Sequence, residues 1–189
     1  MMRGFSRWWL IGNPKVEQVR REEIKNHARS LARAADEQEE MTIGYAPVAE
    51  MLFEVGEVLA GSRVILGSQR VPWEPDGPHT GGTSPVLLRE AGVRYGIIGH
   101  REARDELGEG PRLNRQVMTA LQYGILPILC CGEPKGTLVG SEAQREQALE
   151  GELIPALEGL PEDLLLEGGL TIAYEPGHVI GLDKPADIG

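Results

Sequence analysis

The chain has 189 residues, of which 41% are apolar and 25% charged, and its formal net charge is −10. Those proportions fit a globular protein with a sizeable core and exclude a disordered chain. The acidic balance and the lack of a long Lys/Arg block argue against nucleic acid or an anionic membrane as partner, but leave room for a small anionic substrate.

The first apolar run, 7–12, contains Trp8, Trp9, Leu10 and Ile11 and ends in Gly12, Asn13, Pro14 and Lys15. It is too short for a signal peptide or a membrane span. Val19, Ile24, His27, Leu31 and Ala34 recur at helical spacing and predict a helix from Glu17 to Asp36. A second strand is expected at 41–46. The stripe Met51, Leu52, Val55, Val58 and Leu59 then predicts a helix from Val48 to Ala60. A third strand is expected at 63–67. Gln69 to Pro85 is rich in Pro and Gly and reads as one long loop. Loops of that length inside compact domains usually serve function or an interface.

The fourth strand, 93–98, ends in Gly99, His100, Arg101 and Glu102. Val117, Ala120 and Leu121 predict a helix from Leu113 to Tyr123, with Gly124 as its stop. The fifth strand, 125–130, runs into Cys130 and Cys131. Neighbouring cysteines are poorly placed for a structural disulfide, and reduced thiols suit a cytoplasmic protein. A charged helix is expected from Ser141 to Leu157, with Pro155 disturbing its last turn. The sixth strand, 170–174, ends in Glu175 and Pro176.

The strands are apolar at consecutive positions, which means burial on both faces and a parallel sheet covered by helices. With strands and helices alternating, the class is α/β. An open doubly wound sheet and a (β/α)8 barrel both fit this pattern. In either, an amine, an imidazole and a carboxylate at three strand ends open onto one face. Taken singly, each has a plainer reading: Lys15 as surface charge, Asn13 as turn chemistry, His100 as a hydrogen-bonded structural residue, Glu175 as a loop carboxylate. Taken together, they suit proton transfer beside a carbonyl. Lys15 supplies positive charge, His100 donates to the carbonyl oxygen, and Glu175 takes the proton. Gly181 could offer a backbone N–H to a phosphate. The four histidines show no metal-ligand spacing, and no Cys-x-x-Cys, dinucleotide or Walker motif is present, so neither metal nor cofactor is expected.

At these residues the chain resembles the triosephosphate isomerase family. Gly12-Asn13-Pro14-Lys15 is similar to the family's Gly-Asn-Trp-Lys, and Gly67-Ser68-Gln69 to its Gly-Ala-Gln. Thr80-Gly81-Gly82-Thr83-Ser84-Pro85 is similar to Thr-Gly-Glu-Ile-Ser-Pro. Ile97-Ile98-Gly99-His100-Arg101-Glu102-Ala103-Arg104 is similar to Ile-Ile-Gly-His-Ser-Glu-Arg-Arg. Ile128 to Glu133 and Ala173 to Pro176 complete the series in register. The resemblance implies a single TIM (β/α)8 barrel domain, residues 1–189, holding the first six βα units and incomplete at its C-terminus. Such a barrel takes about 250 residues, so little or no turnover is expected from these 189 residues alone.

The roles implied by the resemblance follow the family's known pattern. Glu175 is the base, His100 a neutral electrophile, and Lys15 the substrate-binding cation. Asn13 and Gly181 bind substrate, Glu102 and Cys130 support the site, and 176–184 form a lid. Thr80 makes a contact across a homodimer built on the 69–85 loop. The implied reaction is interconversion of dihydroxyacetone phosphate and glyceraldehyde 3-phosphate through an enediolate, in the cytoplasm. A longer ketose phosphate such as erythrulose phosphate is the alternative, and an inert paralogue is a second. The altered lid and Arg101 motivate the first, and Gly177 with the missing strands the second. Arg101 stands where the family has Ser, Gly82 and Ala103 where it has a charge pair, and Gly177 and His178 lie in the lid hinge.

Overall fold

The computed structural model describes residues 8–17, 20–38, 40–107, 111–133, 141–163 and 169–176. Six parallel strands form one sheet in sequence order: β1 (Trp8–Gly12), β2 (Met41–Tyr45), β3 (Ile65–Ser68), β4 (Tyr95–Ile98), β5 (Leu126–Cys131) and β6 (Thr171–Tyr174). The sheet curls into an α/β half-barrel. The helices are α1 (Arg21–Glu37), α2 (Leu52–Leu59), α3 (Pro85–Glu90), α4 (Arg101–Leu107), α5 (Pro111–Gln122) and α6 (Glu142–Leu157). A 3-10 turn at Ala49–Met51 leads into α2.

The consecutive apolar runs divide between two cores. Ile98 and Leu129 face the helices, among Val55, Leu88, Leu113 and Val117. Ile97, Ile128 and Cys130 face the concave side with Tyr95 and Leu126, and Trp9, Ile11 and Ala173 pack against them. Strand alternation requires this split. Burying each such side chain stabilises the fold by roughly 1.5–3 kcal/mol.

Two helix expectations change. α1 begins at Arg21, and its buried positions are Ile24, Ala28 and Ala35, whereas His27 and Ala34 are exposed. The buried stripe is thus turned by about one residue, with small alanines against the sheet and the polar imidazole outside. α6 runs through Pro155 to Leu157 without breaking. The backbone bond lost to proline falls in the last turn, where little helix remains to disturb. Gly124 ends α5 as expected, with φ 66°. β1 and β6 are less covered than the inner strands. Trp8 is 62% and Leu10 55% exposed in β1, because no further strand flanks either end of the sheet among the described residues.

Candidate active site

The strand register aligns the C-terminal ends: Gly12 with Tyr45, Ile98 with Leu129, Cys131 with Tyr174. The segments after β1, β3, β4 and β6 therefore emerge on one rim. They carry Asn13 and Lys15, Gln69, His100 and Glu175 respectively.

Lys15 has φ 53°, the one positive value at a non-glycine residue among those described. An L-residue there carries strain of order 1 kcal/mol. Its surroundings hold it. The backbone N–H of Lys15 donates to Asn13 Oδ1 at 3.1 Å, and Gln69 Nε2 reaches the Lys15 carbonyl at 3.4 Å and that of Ala46 at 2.9 Å. The ammonium donates to Glu102 Oε1 at 2.8 Å. That bond raises the pKa of Lys15 and lowers that of Glu102.

Gly99, with φ 70°, makes the turn that lifts His100 off β4. A Cβ there would sit 3.0 Å from Leu113, in a backbone conformation that already disfavours side chains. His100 Nδ1 accepts the Glu102 backbone N–H at 3.3 Å. Nε2 lies 3.4 Å from Glu175 Oε1.

Glu175 is fixed from several sides. Its backbone N–H donates to the Cys131 carbonyl at 2.7 Å. Oε2 accepts the Arg101 backbone N–H at 3.2 Å. The carboxylate also meets the buried Cys130 thiol, whose pKa is raised by burial and then by Glu175. The two cysteines are free and buried. Tyr174, next to Glu175, donates to Glu133 Oε1 at 2.8 Å; burial first, then Glu133, pushes its phenol up to about 12.

An open cleft of about 450 Å³ adjoins this group, lined by Asn13, Lys15, Gln69, His100 and Glu102, with Gly81 and Thr83 across from them. Glu175 does not line it. Thr80 is exposed and lines a neighbouring cleft with Trp73 and His79. Gly181, with Gly177, His178 and the rest of the expected lid after Pro176, lies outside the described residues.

Arg101 stands apart from what its sequence position suggests. It neither blocks the cleft nor reaches into it. Its side chain turns behind the site and is 10% exposed, donating to the Gly132 carbonyl and to Glu152 Oε1 at 2.9 Å. The sequence alone assigns no role to Glu152 or Gln69. Glu152 had a signal: it shares a face of α6 with Leu149 and Ala156, where a charge needs a partner.

The fold and the site together define a parallel (β/α) barrel protein with a lysine, a histidine and a carboxylate at one rim. A family model described as triosephosphate isomerase matches residues 8–188. Triosephosphate isomerase from Thermoanaerobacter pseudethanolicus is 34% identical over 183 residues, covering 94% of this chain and 69% of that relative. The one from Acetivibrio thermocellus is 36% identical over 181 residues, covering 93% and 68%. Among solved structures, triosephosphate isomerase from Bartonella henselae matches with a TM-score of 0.75 at 25% identity, over 90% of this chain and 68% of that one. The chain belongs to the triosephosphate isomerase family.

Proposed function

We propose that the gene product interconverts dihydroxyacetone phosphate and glyceraldehyde 3-phosphate. Membership of the family makes it an isomerase of the triosephosphate isomerase type. The observation that carries the assignment of roles is the 3.4 Å approach of His100 Nε2 to Glu175 Oε1. A carbonyl oxygen can take the Nε2 proton while the neighbouring carbon faces the carboxylate. Glu175 removes a proton from the carbon next to the carbonyl. His100 and the Lys15 ammonium stabilise the oxygen charge of the enediolate. Glu175 then returns a proton to the adjacent carbon, so no electron acceptor is needed. Asn13 holds Lys15 in its strained turn, Glu102 orients both Lys15 and His100, and Gly181 contributes to the phosphate site.

Arg101, beside the altered lid, was one sequence ground for a longer ketose phosphate. Its burial against Glu152 removes that ground. We further infer a homodimer through the 69–85 loop, in which exposed Thr80 of one copy approaches the other's site, and a cytoplasmic location, in keeping with two free thiols. Among the described residues no helix is long and apolar enough to cross a membrane.

A coupled assay with glyceraldehyde 3-phosphate on the full-length gene product tests the reading. Turnover is expected, and Glu175→Ala should lower kcat by at least about a thousandfold, as loss of a general base does at the upper end of its range. Unchanged turnover in Glu175→Ala would remove Glu175 from the role of base.

A further inference from the structure

We propose that Glu152 is a positioning residue for the base Glu175, acting through Arg101 and Gly132; this rests on the isomerase reading above. Glu152 lies on α6, and its side chain is only 13% exposed. Its carboxylate accepts from both guanidiniums behind the site. Oε1 meets Arg101 Nη2 and Arg104 Nη1, both at 2.9 Å. Oε2 meets Arg104 Nη2 at 3.1 Å and the Gly132 backbone N–H at 2.9 Å. Arg104 goes on to the carbonyls of Gly99 at 2.8 Å and Cys130 at 2.7 Å. The cluster therefore ties the turn after β4 to the end of β5.

Those two segments are the ones that hold the base. The Arg101 backbone N–H binds Glu175 Oε2, and the Cys131 carbonyl binds the Glu175 N–H. At Gly132 the chain passes so close to Glu175 that a Cβ would lie 2.0 Å from the Glu175 carbonyl oxygen. A shift of Gly132 is thus passed directly to Glu175. Neither Arg101 nor Glu152 lines the substrate cleft. Their side chains act from behind the cleft, on placement of the base.

The charge of Glu152 is what the arrangement requires. Both oxygens face N–H donors, so a glutamine must turn its own NH₂ group toward a donor in either orientation. The buried guanidiniums then lose the charge of Glu152.

The test compares Glu152→Gln, Arg101→Ser and the double variant on the full-length gene product. Glu152→Gln should lower kcat about a hundredfold, the scale of a misplaced catalytic group, and Arg101→Ser about tenfold, with KM changed less than about twofold in each. Because the two act on one element, the double variant should lose no more kcat than Glu152→Gln alone. Multiplying losses, a raised KM with kcat intact, or kcat within about twofold of wild type would overturn the proposal. If Glu152→Gln does not fold, Arg101→Ser alone decides, since it leaves Glu152 paired with Arg104. Crystal structures give a readout that needs no turnover. The Arg101 N–Glu175 Oε2 contact should be present in the wild type and lost in Glu152→Gln; its persistence in the variant would overturn the proposal. A wild-type protein without isomerase turnover would defeat the functional reading, while the two crystal structures would still decide the placement.

Discussion

Lys15 shows how a single residue is made fit for use. Its backbone is strained, and the strain is held by an asparagine side chain two residues back and a glutamine from β3's end. A lysine on a relaxed turn would sample many directions. This one is aimed at the cleft and at Glu102. The Lys15–Glu102 pair is 42% and 53% exposed, so solvent limits its contribution to folding to less than about 1 kcal/mol. Its pH dependence has a definite sign. Glu102 is held below the usual carboxylate range by Lys15, so its stabilisation is present above that range and lost as pH falls through the lowered value. Lys15, raised by Glu102, loses its part only as pH rises through its own raised value. Glu102→Gln should therefore lower Tm slightly at neutral pH, and the gap should close in acid. A gap that persists undiminished in acid would contradict the pairing.

Individual residues also mark what sequence can carry. Lys15, His100 and Glu175 were legible because each follows an apolar run within a motif. The direction of Arg101 was not. A charged residue beside the chemistry reads as an obstacle or a phosphate ligand, and only the packing of α6 against α5 and β5 shows a carboxylate waiting behind it. The positive φ of Lys15 left no trace beyond the turn chemistry of Asn13 and Pro14.

At the level of elements, β4 illustrates how the concave face of the curled sheet is filled. Tyr95 points into the concave core and is fully buried, with its ring edge-on to Trp9 at 6.0 Å. Gly67 on β3 makes room for it, since a Cβ there would lie 2.1 Å from the ring. The Tyr95 hydroxyl has no hydrogen-bond partner among the described residues, and burial raises its pKa beyond the ordinary phenol range. A buried hydroxyl without a partner costs free energy that phenylalanine does not. Tyr95→Phe should stabilise the fold by about 1 kcal/mol, read as a higher urea midpoint at unchanged m-value. A lower midpoint would show that the hydroxyl has a partner. The strands themselves were readable because both faces are apolar. The face of α1 was less so, since alanine carries little hydrophobic signal even where it packs closest to the sheet.

For the molecule as a whole, the rim collects groups from β1, β3, β4 and β6, and the ties behind it run from α6 to the turns after β4 and β5. Sequence motifs revealed the rim. The ties join residues 20 to 51 positions apart and exist only once the helices are packed. The long loop before α3 is the surface through which we infer pairing of two copies. The full-length gene product should sediment as a dimer, and Thr80→Arg should shift it toward monomer and reduce turnover together. A monomeric wild type with full activity would contradict the dimer.

The central claim is that Glu175 carries a proton between adjacent carbons of a triose phosphate. Its most direct test is isomerisation of dihydroxyacetone phosphate by the full-length gene product in D₂O, followed by proton NMR of the glyceraldehyde 3-phosphate formed. A carboxylic acid at the half-exposed rim exchanges with solvent, so deuterium should appear on C2 of the product, and its incorporation should vanish in Glu175→Ala. Deuterium incorporation at an undiminished rate in Glu175→Ala would contradict the account.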